Sequence, residues 1–345
     1  MQQEDTILRV EEAIQAIKQG EMVIIMDDEN RENEGDLVYA GIFSTPQKVN
    51  FMAQEARGLI CVSVTKEIAQ DLDLPPMVSQ NSSNHETAFT VSIDAKVAKT
   101  GISAYERDLT INLMCRPNAK SDDFVRPGHI FPLVAKEGGV LERMGHTEAS
   151  VDICKLAGLK PVSVICEIMK TDGLMPGRGD KFLTEFAKKH NLKILYVSDL
   201  IYYRLQFERL INIVATQEVE FFDTKVKKID FKDHLQRIHS VFVFGDFKIP
   251  SVKFHLIGED FELLQNRMKF KSLMQAIEIL KQEGGYLIFM RGDKNNDIKG
   301  LGIGAQILKN LGVEDFRLLS GSNTDEREYG ILNGFNLKIL ECLNL

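Results

Sequence analysis

The chain has 345 residues, 44% of them hydrophobic and 27% charged, which is typical of a soluble globular protein with room for two domains. Its net charge is −8, and residues 1–207 hold 30 acidic against 23 basic residues, so we expect no nucleic-acid partner. No apolar run approaches the roughly 20 residues of a membrane span, and no secretion signal opens the chain. The five cysteines are scattered and form no CxxC pair, so we expect reduced thiols and a cytoplasmic protein.

Strand and helix patterns alternate through the first 207 residues. Apolar runs predict strands at residues 22–26, 59–64, 88–93, 161–169 and 193–197. Helical spacing of apolar residues predicts helices at 8–18, 49–57, 103–114, 146–156, 181–189 and 200–207. This alternation indicates an α/β (or α+β) fold, in which helices cover the faces of a layered mixed sheet.

The pattern changes after Phe207. Strands of a more antiparallel type are predicted at 210–214, 219–222 and 241–244. Two helix–strand units follow, 272–281 with 286–290 and 303–311 with 316–319. We therefore expect two domains, residues 1–207 and a smaller α+β domain at 208–345, packed together or joined by the helix at 200–207.

The most informative segment is the acidic run DDENRENEGD at residues 27–36. Its six carboxylates must be solvated or organised around cations, because burying one unpaired carboxylate costs several kcal/mol. A solvated loop is the plainer interpretation. However, the run follows a predicted strand, where open α/β sheets bind ligands, and it contains Arg31, which suits carboxylates and phosphates. An EF-hand is excluded because Asn33 stands where that loop needs glycine, so a hard cation such as Mg²⁺ with an oxygen-rich substrate is favoured.

Further candidate residues are spread along the first domain. His129 follows Pro127-Gly128, which predicts a tight turn. The run RMGHTE at 143–148 begins a predicted helix, whose free N–H groups and dipole favour anions, so it is a plausible phosphate site. Thr100-Gly101 is a weaker candidate of the same kind. Glu167 lies in an apolar strand, either as an edge-facing residue or as an acid–base group with a raised pKa.

Together these motifs resemble a known family. DDENRENEGD, RPGHIFPL, GHTEASVD and VICEI, in this order and spacing, are similar to 3,4-dihydroxy-2-butanone 4-phosphate synthase over residues 5–206. RIHS at 237–240, the strand at 285–290 and GAQILKNLG at 304–312 resemble GTP cyclohydrolase II more faintly. The resemblance implies a fused protein of riboflavin biosynthesis, a lyase that converts D-ribulose 5-phosphate to 3,4-dihydroxy-2-butanone 4-phosphate and formate with Mg²⁺ or Mn²⁺.

The resemblance also implies roles for individual residues. Glu32 and His146 would ligate the metal, and His129 and Glu167 would be the essential acid–base groups. Burial should raise the Glu167 pKa and a nearby metal should lower it, so the sign of the shift stays open. A non-enzymatic cation-binding scaffold would leave these acid–base groups unexplained. The remaining implied substrate contacts are Arg31 and Asp36 at the sugar hydroxyls and Arg143, Met144, Gly145, His146 and Thr147 at the phosphate.

The resemblance further implies a homodimer with sites at the subunit interface. Thr100 would then reach a site in the partner subunit. Cys61 lies where the family also has a thiol near the substrate, so we expect a substrate contact and not a nucleophile.

The second domain departs from GTP cyclohydrolase II at its zinc site. That family follows its RIHS-type motif with three zinc-binding cysteines, whereas VFVFGD follows here and no cysteine occurs between Cys166 and Cys342. RGDKNND at 291–297 replaces that family's glycine-rich segment. Most of the catalytic stretch that should follow it, before Gly304, is missing, and residues 324–329 resemble this lost stretch only by chance. We expect a non-catalytic module without zinc that stabilises, docks or regulates the first domain; the alternative is a divergent cyclohydrolase with other ligands.

Overall fold

The computed structural model describes residues 2–29, 31–292, 297–321, 332 and 335–345. The chain divides into two compact units, Met1–Tyr203 and Arg204–Leu345, and this division falls just ahead of the boundary expected near Phe207. Residues 324–329, and residues 293–296 of the RGDKNND run, lie outside the described residues. None of the described helices combines the length and the apolar character that a membrane crossing needs.

The first unit is a seven-stranded sheet with helices on its faces. Its strands are β1 (Val23–Met26), β2 (Gly35–Ala40), β3 (Cys61–Val64), β4 (Ile93–Ala95), β5 (Phe124–Val134), β6 (Val162–Glu167) and β7 (Lys193–Tyr196). Its helices are α1 (Gln2–Lys18), α2 (Pro46–Phe51), α3 (Lys66–Asp71), α4 (Ala104–Cys115), α5 (His146–Leu156), α6 (Lys181–His190) and α7 (Val197–Phe207), which ends beyond the unit.

The sheet of the first unit is mixed, as the sequence predicts. The strand order is β4-β5-β3-β6-β2-β1-β7. β3 pairs in parallel with β5 and β1 with β7, whereas the other neighbours are antiparallel. Every residue of β1, β2 and β3 is buried, so these strands form the core of the unit and carry apolar side chains on both faces.

Three strands of this sheet (β2, β4 and β5) were not predicted, and one predicted strand reaches β4 only at Ile93. β2 follows the acidic run directly and begins with Gly35-Asp36, so its start has the composition of a turn. The predicted turn before His129 is wrong, because Pro127 and Gly128 lie inside strand β5, at an irregularity of its pairing with β4 and after a cis Arg126–Pro127 peptide bond. The strand predicted at 88–93 is otherwise reduced to isolated bridges at Phe89 and Thr90.

Most predicted helices are confirmed, whereas α3 was not predicted. Capping side chains begin several of the helices. Thr45, Thr65, Ser103 and Asp180 each accept a hydrogen bond from a main-chain N–H in the first turn of α2, α3, α4 and α6, respectively. The helix predicted at 49–57 differs: α2 ends at Phe51 and continues as a π-helical turn, Met52–Ala56. Helix α5 has the predicted bounds, and its first residue is His146.

The second unit contains another seven-stranded mixed sheet. Its strands are β8 (Ile211–Phe221), β9 (Thr224–Asp233), β10 (Ile238–Phe244), β11 (Ser251–Leu256), β12 (Gly285–Met290), β13 (Asp315–Ser320) and β14 (Lys338–Asn344), and its helices are α8 (Asp260–Gln265), α9 (Arg267–Glu283) and α10 (Asp297–Asn310). The order is β14-β13-β11-β12-β10-β9-β8. β8, β9 and β10 form an antiparallel meander, and β11 is parallel to both β12 and β13. The two strands predicted at 210–214 and 219–222 are one strand, while β9, β11 and β14 were not predicted.

Candidate active site

The acidic run forms the loop between β1 and β2, and it is organised around Asp27. The Asp27 side chain is buried and accepts hydrogen bonds from the main-chain N–H groups of Glu32 and Glu34, at 3.2 and 2.9 Å. Its carboxylate also accepts a hydrogen bond from Arg31 Nη1 at 2.8 Å, and Arg31 pairs with Glu32 at 2.6 Å. The loop is therefore held by its own charges, and Glu32 is positioned rather than free in solvent.

His146 meets this loop from the first turn of α5. Its Nδ1 lies 3.5 Å from Glu32 Oε2 and 4.0 Å from Asp36 Oδ1. His146 Nε2 and Asp36 Oδ1 are buried and have no hydrogen-bond partner among the described residues. Asp27, Glu32 and His146 offer one ligand atom each, and these atoms lie within 4.8 Å of one another. Such a set of carboxylate and imidazole ligands fits a divalent cation, and Asp36 Oδ1 lies 4.0 Å from His146 Nδ1.

The charges in this cluster shift one another's pKa values. Burial raises the pKa of Asp36 to about 7, and the neighbouring carboxylates Glu167 and Glu32 add to that effect. Burial also opposes ionisation of Glu32, but the hydrogen bond from His146 and the charge of Arg31 outweigh it and lower the Glu32 pKa to about 2. His146 is buried too, yet Asp36, Glu32 and Asp27 raise its pKa to about 9. The ionised Glu32 therefore faces a protonated His146 at neutral pH, and His146 would have to release this proton to ligate a cation.

Glu167 lies beside Asp36 at the end of β6. The two residues are register partners on adjacent strands, so their side chains leave the same face of the sheet. Glu167 Oε2 accepts a hydrogen bond from the Leu59 N–H at 2.8 Å. Cys61 is buried near Glu167 and Asp36. Burial, followed by the charges of these two carboxylates, raises the pKa of its thiol. Cys61 is thus an uncharged thiol close to the carboxylates, in keeping with the expected contact role.

His129 is held by a carboxylate that sequence reasoning missed. Asp94 Oδ1 accepts a hydrogen bond from the His129 N–H at 2.9 Å, and Oδ2 lies 2.8 Å from the ring Nδ1. The His129 side chain is 42% exposed. The exposed loop at Thr100 packs against the same Asp94, because Gly101 touches its carboxylate, and the Thr100 hydroxyl donates to Glu106 at 3.0 Å.

His129 and Glu167 lie at the same end of β3. Cys61 of β3 pairs with Phe131 in the parallel neighbour β5 and with Ile165 in the antiparallel neighbour β6. His129 lies two residues before Phe131, and Glu167 lies two residues after Ile165. Both residues therefore lie at the same edge of the sheet, which is where the acidic loop also lies. The structure brings His129, Glu167, Asp36 and the metal-ligand cluster to this one edge.

The predicted phosphate residues open α5, and Arg143 is fixed in front of them. Arg143 Nη1 donates to the buried Glu148 carboxylate at 2.6 Å, and Nη2 donates to the His85 carbonyl at 2.9 Å and to Thr87 Oγ1 at 3.2 Å. Gly145 permits this approach, since a Cβ there would collide with the guanidinium. Thr147 is buried in the first turn, and Met144 is 38% exposed. The arrangement offers one cation and a helix N-terminus to an anion.

A cavity of about 1120 Å³ borders these residues. Glu32 lines it, as do His85 and Thr87, whose oxygen atoms hold Arg143. The segment 74–90 forms much of its remaining wall. The cavity therefore connects the acidic loop to the segment that positions Arg143, and it is large enough for a small phosphorylated substrate.

Three carboxylates of the site had no assigned role from sequence. Asp27 belongs to the acidic run and Glu148 to the GHTE motif. The sequence therefore indicated both segments, but it did not show which carboxylates bind a ligand and which position other side chains. Asp94 gave no signal, because it meets His129 only through the pairing of β4 with β5.

Comparison with known proteins gives consistent matches over the whole chain. The family model described as 3,4-dihydroxy-2-butanone 4-phosphate synthase matches residues 11–203, and the one described as GTP cyclohydrolase II matches residues 292–344. A protein of Helicobacter hepaticus named 3,4-dihydroxy-2-butanone 4-phosphate synthase is 62% identical over 98% of this chain and 99% of its own length.

Solved structures agree with these sequence matches. The structure of RibBX from A. baumannii, described as a two-domain 3,4-dihydroxy-2-butanone 4-phosphate synthase, has a TM-score of 0.83 at 39% identity, over 97% of this chain and 99% of its own. A synthase structure described as a complex with two magnesium ions has a TM-score of 0.54 at 43% identity, over 58% of this chain and 97% of its own. The chain therefore belongs to the 3,4-dihydroxy-2-butanone 4-phosphate synthase family.

Proposed function

We propose that the protein converts D-ribulose 5-phosphate to 3,4-dihydroxy-2-butanone 4-phosphate and formate, a lyase step of riboflavin biosynthesis. The observation that carries this proposal is the convergence of Asp27, Glu32 and His146 beside Asp36 and Glu167, at the sheet edge that also holds His129. These groups supply carboxylates for a cation and proton donors and acceptors for a sugar, and the substrate and products are those of the family's reaction.

The proposed metal ligands are Glu32 and His146, with Asp27 as a third candidate. The convergence of three ligand atoms within 4.8 Å of one another, with Asp36 Oδ1 at 4.0 Å from His146 Nδ1, supports a cation here. Mg²⁺ is the proposed ion, since a relative is described with two magnesium ions, and Mn²⁺ has the same preference for oxygen ligands. When bound, the cation would lower the energy of negative charge that develops on substrate oxygens during enolisation.

The other side chains are proposed to bind the sugar and to transfer protons. Asp36 and Arg31 are proposed to bind sugar hydroxyl groups, and the buried Asp36, whose pKa is about 7, can either donate or accept a hydrogen bond near neutral pH. Glu167 and His129 are proposed to move the protons that enolisation, loss of water and release of C4 require. Asp94 would keep the Nδ1 proton of His129 in place, so that Nε2 is the nitrogen that exchanges a proton.

The substrate phosphate is proposed to bind at residues 143–147. The main-chain N–H groups of Gly145, His146 and Thr147 open helix α5, and Arg143 supplies a charge whose position Glu148 fixes. A phosphate at one end and the acidic loop at the other would orient a five-carbon sugar along the cavity that Glu32 lines.

We also propose that the protein is a homodimer in which Thr100 contacts the partner subunit's substrate. Thr100 and the neighbouring Ile102 and Tyr105 are exposed, the last two by 54% and 71%, and this apolar surface adjoins the loop that packs on Asp94. Light scattering should give twice the 39.0 kDa chain mass. A monomer with full synthase activity would contradict this part of the proposal.

The second unit is proposed to lack cyclohydrolase activity and zinc. His239 of its RIHS motif is fully buried and bound to Asp233 at 3.1 Å, and Arg291 N–H donates to its other nitrogen. Among the described residues of this unit, no three His, Cys, Asp or Glu side chains converge as metal ligands would. A divergent cyclohydrolase with other ligands is the competing function, and the family match at 292–344 keeps it testable.

One assay tests both halves of the proposal. The purified chain is supplied separately with ribulose 5-phosphate and with GTP, and formate is measured from each. We expect formate from ribulose 5-phosphate that EDTA abolishes and Mg²⁺ restores, and none from GTP. Formate from GTP that depends on zinc would overturn the proposal for the second unit. Turnover of ribulose 5-phosphate in excess EDTA would overturn the metal role.

A further inference from the structure

A buried lysine lies in strand β11 of the second unit. Lys253 is 5% exposed, and its Nζ donates a hydrogen bond to Ser272 Oγ in helix α9 at 3.0 Å. Among the described residues, no carboxylate forms an ion pair with this amine, and none contributes to the shift of its pKa. Burial lowers the Lys253 pKa to about 8, so the group is still mostly protonated at neutral pH. A buried ammonium is costly unless an anion pairs with it.

A histidine on the same face has no hydrogen-bond partner among the described residues. His255 lies two residues further along β11, is 7% exposed, and packs edge-on against the Phe289 ring at 5.3 Å. Within the described part of the chain, neither of its ring nitrogens makes a hydrogen bond. Burial and the charges of Lys269 and Lys253 lower its pKa to about 4. Within the described residues, Lys253, His255 and Lys269 thus place basic groups together with no carboxylate, and the acidic group that acts on Lys253 is the Cys342 thiol.

The main chain after β13 completes this cluster. Gly321 lies so close that a Cβ on it would be 2.8 Å from Ser272 Oγ and 3.2 Å from Lys253 Nζ. A side chain at this position would press on Ser272 and Lys253, so glycine allows the main chain after β13 to pack directly against the lysine.

The topology explains why a ligand would bind at this place. Ser272 of α9 contacts Lys253 on one face of β11, whereas Gly304 of α10 lies against Phe254 on the other face. The chain leaves β11 through α9 to reach β12, then returns through α10 to β13 on the opposite side of β11. Adjacent parallel strands whose connections leave to opposite faces form a crevice at their carboxyl ends, which is the usual ligand position in such sheets.

We propose that Lys253, His255, Ser272 and Gly321 form an anion site in the second unit for a phosphate-bearing small molecule. A phosphate monoester provides the negative charge that pairs with Lys253 and enough acceptor oxygens for the Ser272 hydroxyl and a protonated His255. His255 gains its proton as the anion binds, since an adjacent negative charge favours the charged imidazole. The site lies wholly in the second unit and is separate from the phosphate position proposed at Arg143.

Calorimetric titration of the full chain with inorganic phosphate, in EDTA, tests this site. We expect two phosphates per wild-type chain, one at Arg143 and one at Lys253. Arg143→Met should leave one, and the double variant Arg143→Met/Lys253→Met should leave none. Lys248→Met, at an exposed lysine of the same unit, is the matched control and should change nothing. Equal phosphate binding by Arg143→Met with and without Lys253→Met would overturn the proposal, and so would no binding by Arg143→Met alone.

A second readout does not depend on a variant of the lysine. NMR titration of His255 in the Arg143→Met protein should show a pKa that rises by about one unit or more when phosphate is added. A His255 pKa that phosphate leaves unchanged would overturn the proposal. Synthase activity of Lys253→Met should equal that of the wild type, so the outcome for this site is independent of the outcome for the synthase reaction.

Discussion

Asp94 holds His129 at two points, through the main-chain N–H at 2.9 Å and through ring Nδ1 at 2.8 Å. Strand β4 supplies the carboxylate and strand β5 the imidazole, so the pairing of these two strands sets the orientation of the ring. The carboxylate accepts a hydrogen bond from Nδ1–H and leaves Nε2 free to exchange a proton, which is how a buried acid orients a catalytic histidine in other enzymes.

Asp94→Asn should therefore lower kcat by about 10²–10⁴-fold with little change in KM, because an amide can stabilise the wrong tautomer. The pH profile of kcat should move with it. Steady-state kinetics from pH 5.5 to 9 provide the measurement, and Asp122→Asn, at an exposed aspartate ahead of β5, is the control. If Asp94→Asn raised KM alone, Asp94 would be a binding residue rather than a positioning residue for catalysis.

Replacing Glu32 by Gln should weaken the metal site while preserving the fold. The substitution removes the charge that faces His146 and Arg31, and a neutral amide is a weaker ligand for a hard cation. We expect Mn²⁺ affinity, measured by electron paramagnetic resonance, to fall at least about tenfold and activity to fall below detection. Glu29→Gln, at an exposed position of the same loop, should behave like the wild type. Unchanged Mn²⁺ binding by Glu32→Gln would remove this residue from the metal site.

Substitutions of Arg143 and Glu148 should raise KM by different amounts. Arg143→Met removes the charge in front of helix α5, so KM for ribulose 5-phosphate should rise about 10- to 100-fold, the range of a charged hydrogen bond. Glu148→Gln leaves that charge but loosens its position, so the rise should be smaller, about 3- to 10-fold. Arg116→Met, at an exposed arginine, is the control. A kcat loss without any change in KM would contradict phosphate binding at this helix.

The sequence predicts those parts of the fold in which local signals agree. Helix α5 was predicted with its correct bounds, because apolar spacing runs from its first turn and Gly158 follows its end. Strands β2 and β5 were missed for the opposite reason, because Gly35-Asp36 and Pro127-Gly128 have the composition of turns. Gly35 and Asp36 are nevertheless paired with β1 and β6, so tertiary pairing overrode the local preference there. Pro127-Gly128 instead lies at an irregularity of β5, between its pairs with β4 at Val125 and Ile130.

The sequence predicts the motif residues of the candidate site but not the residues that position them. Residue type and spacing indicate the acidic run, His129 and Glu167, and the family resemblance adds the expected roles of Glu32 and His146. Asp94 is recognised only from the register of two strands, which no single-sequence pattern encodes.

The pKa of Asp233 predicts an acid sensitivity of the second unit. Burial opposes its ionisation, but hydrogen bonds from His239, the Arg237 N–H and the Arg237 side chain outweigh it and lower the pKa to about 2. Because the folded pKa lies below the unfolded value near 4, this carboxylate stabilises the fold above pH 4. That stabilisation is lost as the pH falls from about 4 to about 2, and it amounts to about 2 kcal/mol.

Asp233→Asn should therefore destabilise the second unit at neutral pH, where it leaves His239 and Arg237 without their shared carboxylate. The stability difference between the variant and the wild type should shrink as the pH falls from 4 to 2. Urea unfolding of the full chain, followed by circular dichroism at several pH values, measures this difference. Asp223→Asn, at an exposed turn between β8 and β9, should show no such trend. A difference that stays constant down to pH 2 would mean that Asp233 is not ionised in the buried pair, and the linkage argued here would be wrong.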